Sequence, residues 1–285
     1  MLLFFELTRR CNYQCSHCLR GDAQGIDMHP TVMRRALNMF DRHEDNIELG
    51  FGGGEALLKP KLIHTFAQEL SWSRGSYYNE DVPMWIVSNG KRFLDQDYRA
   101  IPYNEPNYDE DDYENIPLVE SLMFLKMQTP ITLAISTDYW HDEADNGSKD
   151  RFEHASRVFD VPDIRVVEHG PKEFRNLLAM GRTRSGEEEA IWHSVQEKPM
   201  YYVNVYGDIY PSCNLSYTFQ KQFKDTMLNL GNVNTDTLDT ILENRRKLDD
   251  ILEFDGTHVL YVSEDHLGDL EERIEEYEIK VKVNK

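Results

Sequence analysis

The chain is poor in cysteine and lacks any long apolar run. Only four of its 285 residues are cysteine, and they do not form the evenly spread pairs of a secreted disulfide framework. No segment approaches the roughly 18 apolar residues that a membrane-spanning helix needs. The apolar opening at residues 1–5 stops at Glu6 and carries no basic leader, unlike a signal peptide. We therefore expect a cytoplasmic protein that does not cross a membrane.

Positive charge is also scarce. The sequence contains 31 lysines and arginines against 51 aspartates and glutamates, for a formal net charge of −20. Because affinity for nucleic acid comes mostly from cationic side chains that neutralise phosphates, this balance argues against a nucleic-acid partner. The acidic residues concentrate at 103–115 and 264–278. These segments are either solvated surface or an acidic dock for a cationic peptide or protein.

Short apolar runs alternate with helically spaced segments from the start of the chain. Such an alternation predicts an α/β fold, with a parallel sheet or open barrel covered by helices. In these folds the chemistry gathers at the carboxyl ends of the strands. The predicted strands are 2–7, 47–51, 84–88, 131–137, 164–170 and, less regularly, 174–181, and the predicted helices between them are 31–43, 61–70 and 150–159.

From about residue 185 the pattern changes. Residues 201–213 contain two β-rich runs around Gly207 and Asp208, which predicts a hairpin. A helix is expected over 235–252 with Thr235 as its cap, and a strand over 257–263. Residues 186–285 are therefore expected to form a small α+β domain that packs on a core domain of residues 1–185.

Three of the four cysteines lie together after the first predicted strand. Cys11, Cys15 and Cys18 form a CxxxCxxC pattern, and thiolates at this spacing bind zinc or an iron-sulfur cluster. Zinc requires a fourth ligand. Three cysteines on a short loop can instead hold three irons of a [4Fe-4S] cluster and leave the fourth iron open.

A glycine-rich stretch, "GFGGGEALLKP" at 50–60, follows the second predicted strand. Consecutive glycines let a backbone approach a ligand closely, and the Glu55 carboxylate can accept hydrogen bonds from an ammonium group. A tight strand-to-helix turn explains such glycines equally well. Ser88-Asn89 and Ser136 to Asp138 lie at or just past the ends of two other predicted strands, so these polar features should converge on one face.

Four of these segments together resemble the radical S-adenosylmethionine (SAM) superfamily. They are "ELTRRCNYQCSHC" at 6–18, "GGGEALL" at 52–58, "IVSNG" at 86–90 and "ISTD" at 135–138. The resemblance covers roughly residues 2–183 and implies a partial (β/α)6 TIM-like barrel. It also implies one [4Fe-4S] cluster on Cys11, Cys15 and Cys18, with SAM bound to the open iron.

The resemblance also implies roles for individual residues. His17 stands where the family usually has an aromatic residue beside the adenine, and residues 53–55 match the stretch that receives the methionine amino group. Ala56 replaces the family's usual proline. Ser136 and Arg151 occupy positions that hold the SAM carboxylate or ribose in relatives, although a surface salt bridge also explains Arg151. The expected cofactor-binding residues are His17, Gly53, Gly54, Glu55, Ser88, Ser136 and Arg151.

The activity implied by the resemblance begins with one-electron reduction of the cluster, for which a flavodoxin or ferredoxin is the usual donor. SAM is then cleaved to a 5'-deoxyadenosyl radical, which abstracts a hydrogen atom from the substrate.

The C-terminal part resembles the SPASM or twitch extension of enzymes that modify ribosomally made peptides and of sulfatase-maturing enzymes. The matching segments are "VYGDIYPSCNLSY" at 205–217 and "LGNVNTDTLDTILENRRK" at 230–247. Such extensions use several cysteines to bind auxiliary clusters, whereas this part of the chain retains only Cys213, so we expect no auxiliary cluster. Cys213 is a packed remnant, a hydrogen-atom donor as a peptide epimerase requires, or a ligand of an unusual second cluster.

The resemblance therefore predicts a peptide or protein substrate that undergoes a modification such as epimerisation or cross-linking. Because the barrel starts at residue 2, we expect the peptide to be recognised by the barrel mouth, the C-terminal domain or a separate recognition protein. One alternative is radical chemistry on a nucleotide or small metabolite. Another is a zinc-binding or degenerate module without enzyme activity, in which His17 or Cys213 is the fourth ligand.

Overall fold

The computed structural model describes residues 1–16, 18–40, 47–60, 62–66, 82–95, 122, 126, 130–136, 151, 155–156, 164–167, 199–213, 215–252 and 272. Its elements, in chain order, are strand β1 (Leu2–Thr8), helix α1 (Pro30–Phe40), strand β2 (Glu48–Gly53), a 3-10 turn (Ala56–Leu58), strand β3 (Met84–Ser88), helix α2 (Arg92–Asp95), strands β4 (Ile131–Ser136), β5 (Ile164–Val167), β6 (Met200–Val203) and β7 (Asp208–Tyr210), helix α3 (Tyr217–Gln222), strand β8 (Gly231–Asn232) and helix α4 (Leu238–Leu252).

The eight strands of the described part of the chain form one sheet, in the order β5-β4-β3-β2-β1-β6-β7-β8. The pairs from β5 through β6 are parallel, and only β7 and β8 run antiparallel to their neighbours. The α/β class predicted from the alternation of apolar runs is confirmed. The parallel strands form a partial TIM-like barrel, and a small α+β part follows it.

The two faces of β1 carry different side chains, because successive residues of a strand point to opposite sides. On one face, the Phe5 ring lies 6.0 Å from that of Phe51 of β2 and 5.3 Å from that of Phe66. On the other face, Phe4 stacks on Tyr202 of β6 at 6.0 Å. Parallel strands covered on both sides are apolar on both faces, which is why these segments read as continuous apolar runs.

The C-terminal strands extend the barrel sheet directly. Strand β6 pairs in parallel with β1, with Met200 opposite Leu2 and Val203 opposite Phe5. The predicted hairpin is confirmed, since β6 and β7 are antiparallel and the turn between them contains Gly207 with φ +88°. The predicted domain boundary at residues 185–186 lies outside the described residues.

Helix α4 starts later than predicted. It begins at Leu238, and the side-chain oxygen of Thr237 accepts the Thr240 amide at 3.3 Å. Thr235 lies before the helix in a turn, where Asp236 accepts the Asn232 amide at 2.7 Å. The prediction of Thr235 as the cap is therefore wrong, because a side chain two positions later satisfies the first helical amides.

Several other predicted elements lie wholly or mostly outside the described residues: the sixth strand at 174–181, the helix at 150–159, the strand at 257–263 and the acidic segments at 103–115 and 264–278. Within the described ranges, every helix is too short or too polar to cross a bilayer.

Candidate functional site

The cysteine loop, defined as residues 9–24, follows the carboxyl end of β1. Cys15 is buried, whereas Cys11 and Cys18 are half-buried, and none of the three forms a disulfide. The Cys18 amide donates to the Cys15 carbonyl at 3.2 Å, and the Gly21 amide donates to the Cys18 carbonyl at 3.1 Å, so tight turns shape the loop. Among the described residues, no group of three or more His, Cys, Asp or Glu side chains is arranged to hold a metal ion.

The end of β2 is bonded directly to this loop. The Gly54 amide donates to the Thr8 carbonyl at 2.7 Å, and the Glu55 amide donates to the Arg10 carbonyl at 2.8 Å. A Cβ on Gly54 would lie 2.2 Å from the Arg10 carbonyl oxygen. A Cβ on Gly53, whose φ is +138°, would lie 2.2 Å from the Thr8 carbonyl oxygen. The glycines therefore allow close contact with the protein's own backbone, while their binding of SAM stays a prediction.

Glu55 connects the ends of β2 and β3. Its side chain is 1% exposed, and its Oε1 accepts from the Ser88 hydroxyl at 2.8 Å and from the Leu57 amide at 3.0 Å. Its Oε2 accepts from the Asn89 amide at 2.8 Å. Two predicted cofactor-binding residues, Glu55 and Ser88, thus touch each other, although they are 33 positions apart.

Two asparagines that carry no predicted role, Asn12 within the cysteine loop and Asn89 after β3, contact each other beside Cys11. The Asn89 side-chain amide donates to the Asn12 side-chain oxygen at 2.9 Å and lies 3.8 Å from the Cys11 sulfur. The Tyr13 amide approaches the same sulfur at 3.5 Å. Donors aimed at a sulfur favour its thiolate form, so this arrangement suits Cys11 as a metal ligand. The position of Asn89 directly after β3 is the sequence signal that points to it.

Arg151 connects the cysteine loop with the end of β4. Its Nη1 donates to the Tyr13 hydroxyl at 3.3 Å, and its Nη2 donates to the Ser136 carbonyl at 3.4 Å. The side chain is 1% exposed, so the alternative of a surface salt bridge is wrong. The structure therefore places Arg151 beside the Ser136 carbonyl, while the roles of both residues in SAM binding stay predictions. His17 lies outside the described residues.

A buried carboxylate, Glu6, joins β1 to β6. It is fully buried and accepts hydrogen bonds from Arg9 Nε at 3.1 Å, the Tyr202 hydroxyl at 2.8 Å and the Val205 amide at 3.1 Å. A buried charge of this kind is tolerated only when it is paired and hydrogen-bonded. Tyr202 and Val205 lie almost 200 positions from Glu6 in the sequence. The only sequence signal for this role is a charged residue near the end of an apolar run.

Two arginines attach the cysteine loop to the C-terminal part. Arg9 Nη2 donates to the Gln220 side-chain oxygen at 2.6 Å, and Arg20 Nη1 donates to the Leu215 carbonyl at 2.8 Å. The Arg20 guanidinium also lies 4.8 Å from the centre of the Tyr202 ring. The position of the cysteine loop therefore depends on residues near position 220.

Cys213 lies after β7 and packs against the hydrophobic core. Its amide donates to the Met200 sulfur at 3.2 Å. Burial raises the pKa of the Cys213 thiol, and the nearby Arg20 charge opposes the rise. The three roles expected for this cysteine remain predictions.

Asp27 links three segments of the site. It accepts from the Thr8 hydroxyl at 2.6 Å, from Arg10 Nε at 3.1 Å and from Lys59 Nζ at 2.6 Å. Burial by itself would raise the pKa of Asp27, but the hydrogen bonds from Lys59 and Thr8 bring it below its usual value of 3.8. The ionised form is therefore stabilised by folding.

Asp27→Asn should lower the free energy of unfolding by about 1–2 kcal/mol at pH 7, because charged hydrogen bonds are lost. A folded pKa below the unfolded one stabilises the protein above the unfolded pKa, and this contribution disappears as the pH falls through the folded value. Urea unfolding at several pH values should show the difference shrinking below pH 3.8. The exposed control Asp225→Asn should be neutral, and a difference independent of pH would contradict the ionic role.

No protein-family model and no curated protein matches the sequence. Solved structures do match. A structure of native anSMEcpe with bound AdoMet, which is SAM, is 13% identical with a TM-score of 0.53 and covers 99% of this chain and 98% of that one. BtrN in complex with AdoMet and 2-DOIA is 13% identical with a TM-score of 0.52 and covers 90% of each chain. The chain therefore shares the fold of these AdoMet-bound proteins over most of its length.

Proposed function

We propose that the protein is a radical SAM enzyme that abstracts a hydrogen atom from a peptide or protein substrate. The observation that carries this proposal is the pair of hydrogen bonds from Gly54 and Glu55 to the carbonyls of Thr8 and Arg10. They join the glycine motif to the cysteine motif, in a fold shared with two AdoMet-bound proteins. The two motifs that carry the resemblance thus form one unit.

The donor set suits a [4Fe-4S] cluster. Cys11, Cys15 and Cys18 supply three soft thiolate ligands on one loop, and amide groups of Tyr13 and Asn89 already face the Cys11 sulfur. Hydrogen bonds to cluster sulfurs are among the features that tune such clusters. Since ligation supplies free energy that orders its ligands, cluster binding would draw the three sulfurs together.

The side chains around the loop suit the two charged groups of SAM's methionine part. The Arg151 guanidinium, beside Ser136, complements the carboxylate, and the Glu55 carboxylate complements the ammonium group. His17 next to Cys18 would offer a flat ring to the adenine. When bound, the cluster and SAM supply one-electron cleavage of the C5'–S bond and removal of a substrate hydrogen atom.

A peptide substrate is supported by the C-terminal resemblance and by a structure of anSMEcpe with AdoMet and the Cp18Cys peptide. That structure has a TM-score of 0.52, is 12% identical and covers 99% of this chain and 98% of that chain. We assign residues 186–285 as a SPASM-like or twitch-like domain without an auxiliary cluster, and a flavodoxin or ferredoxin as the reductant. The second candidate is a small metabolite, which the likeness to BtrN with 2-DOIA favours.

The test is anaerobic reconstitution of the wild-type protein and of Cys213→Ala, followed by iron and acid-labile sulfide analysis. We expect about four irons per chain in both proteins, and 5'-deoxyadenosine after addition of SAM and dithionite. About eight irons falling to four in the variant would place a second cluster on Cys213 and contradict our assignment of the C-terminal domain. A single metal without sulfide would indicate a zinc module and refute the proposed enzyme.

A further inference from the structure

The Tyr217 hydroxyl is buried without a hydrogen-bond partner in the described part of the chain. The residue begins helix α3 and is only 4% exposed. Buried tyrosine hydroxyls usually find a partner, because leaving such a donor unsatisfied costs free energy. The hydroxyl therefore indicates an acceptor that the described residues do not provide.

The backbone at Tyr217 is anchored to the cysteine loop. The Tyr217 amide donates to the carbonyl of Arg20 at 3.1 Å, two residues after Cys18. In the opposite direction, the Arg20 side chain donates to the Leu215 carbonyl at 2.8 Å. The Ser216 hydroxyl accepts the Phe219 amide at 3.0 Å and so fixes the start of the helix. Tyr217 is thus held beside the segment that carries Cys18.

The ring of Tyr217 is fixed as firmly as its backbone. The Arg9 guanidinium lies 4.5 Å from the ring centre, and Arg9 is itself held by Glu6 and Gln220. The ring therefore lies against a guanidinium that is itself held by two hydrogen bonds.

The charges around the hydroxyl keep it protonated. Burial raises the pKa of Tyr217, negative charge at Glu6 and at Cys18 raises it further, and Arg20 and Arg9 oppose the rise. The phenol therefore remains a hydrogen-bond donor at neutral pH.

On the basis of the proposed function, we propose that the Tyr217 hydroxyl donates a hydrogen bond to a sulfur atom of the cluster at its Cys18 corner. The acceptor is the Cys18 thiolate or an adjacent sulfide. Such a bond favours the reduced cluster, which carries one more negative charge, and so raises its reduction potential. The C-terminal part, whose only described cysteine is Cys213, would thereby tune the cluster held by the barrel.

The test compares Tyr217→Phe with the matched control Tyr206→Phe. Tyr206 also faces the Arg9 guanidinium, at 5.0 Å, but it is 48% exposed. After reconstitution, iron content and the midpoint potential are measured, the latter by redox titration followed by electron paramagnetic resonance without substrate. We expect four irons in both variants. In Tyr217→Phe the equilibrium constant for cluster reduction should fall about tenfold, which corresponds to a midpoint potential about 59 mV more negative. The potential of Tyr206→Phe should equal that of the wild type.

Thermal melting of the metal-free proteins separates this role from a packing role. Since the hydroxyl has no partner in the described structure, Tyr217→Phe should melt at or above the wild-type temperature, whereas a packing role predicts a lower temperature. An unchanged potential in a fully loaded variant would overturn the inference and leave the proposed function intact. Failure of the wild-type protein to bind four irons would instead refute the proposed function.

A second substitution covers the case in which Tyr217→Phe binds less iron. A 3,5-difluorotyrosine in place of Tyr217 keeps the ring and hydroxyl but makes the hydroxyl more acidic and a stronger donor. We expect the potential of this protein to be less negative than that of the wild type. An unchanged potential would contradict the hydrogen bond.

Discussion

Substitution of Cys11, Cys15 or Cys18 by alanine is expected to abolish both four-iron loading and the formation of 5'-deoxyadenosine. Each cysteine would supply one of only three protein ligands, and two thiolates cannot hold the cluster against loss to solvent. The loss of activity should far exceed the roughly 10–100-fold effect of changing an outer-shell partner of a metal site. Iron and sulfide analysis and product chromatography measure the two effects independently.

The fourth cysteine provides the matched control for this experiment. Cys213 lies after β7 and packs against the core, so Cys213→Ala should retain iron and still cleave SAM. Retention of iron or of SAM cleavage in all three loop variants would remove the central claim. If Cys213 donates a hydrogen atom, its variant should cleave SAM with a peptide substrate present yet fail to complete the product.

Gly54→Ala is expected to lower the free energy of unfolding of the metal-free protein by about 3–5 kcal/mol. The new Cβ would lie 2.2 Å from the Arg10 carbonyl oxygen, a clash with backbone that no side-chain rotation can relieve. Moving β2 away breaks the bonds from Gly54 to Thr8 and from Glu55 to Arg10, each worth about 1 kcal/mol. Overpacking adds about 1–3 kcal/mol. Urea denaturation measures the difference.

A glycine close to the same loop shows whether the effect is specific. A Cβ on Gly25 would find its nearest neighbour, the end of the Arg10 side chain, at 3.9 Å. Gly25→Ala should therefore stay within about 0.5 kcal/mol of the wild type. In reconstituted protein, Gly54→Ala should also weaken SAM binding, because the cysteine and glycine motifs no longer meet. Equal stability of Gly54→Ala and the wild type would contradict the close backbone contact.

The strands of the barrel were predictable because each one is a short apolar run bounded by turn residues. Strands β1 to β5 each fall within, or within two residues of, a predicted range. The predicted helix cap is wrong because Thr235 and Thr237 are both residues that can cap a helix. In the structure, Thr235 lies in the turn from Asn232 to Asp236, and Thr237 caps the helix. Local propensity can indicate that a helix starts nearby, but hydrogen-bond geometry selects the residue.

The parts of the site that escaped prediction all depend on contacts between distant segments. From the sequence, Glu6 is only a polar residue near the end of an apolar strand. Its partners Tyr202 and Val205 contact it because β6 lies beside β1 in the sheet. Arg151 is buried against Tyr13 for the same kind of reason. The apolar periodicity around either residue gives no information about contacts with residues more than a hundred positions away.

Residue types and their spacing predict the α/β architecture, which the structure confirms, and they also predict that the cysteine loop binds a soft metal. Spacing and residue type are local properties, and thiol chemistry and strand periodicity follow from them directly. Three contacts could be known from the folded chain alone: Gly54 meets the backbone before the cysteine loop, Glu55 meets Ser88, and the Tyr217 amide bonds to Arg20, two residues after Cys18. Those contacts depend on the order of strands in the sheet, because adjacency in a sheet is set by the packing of the whole chain.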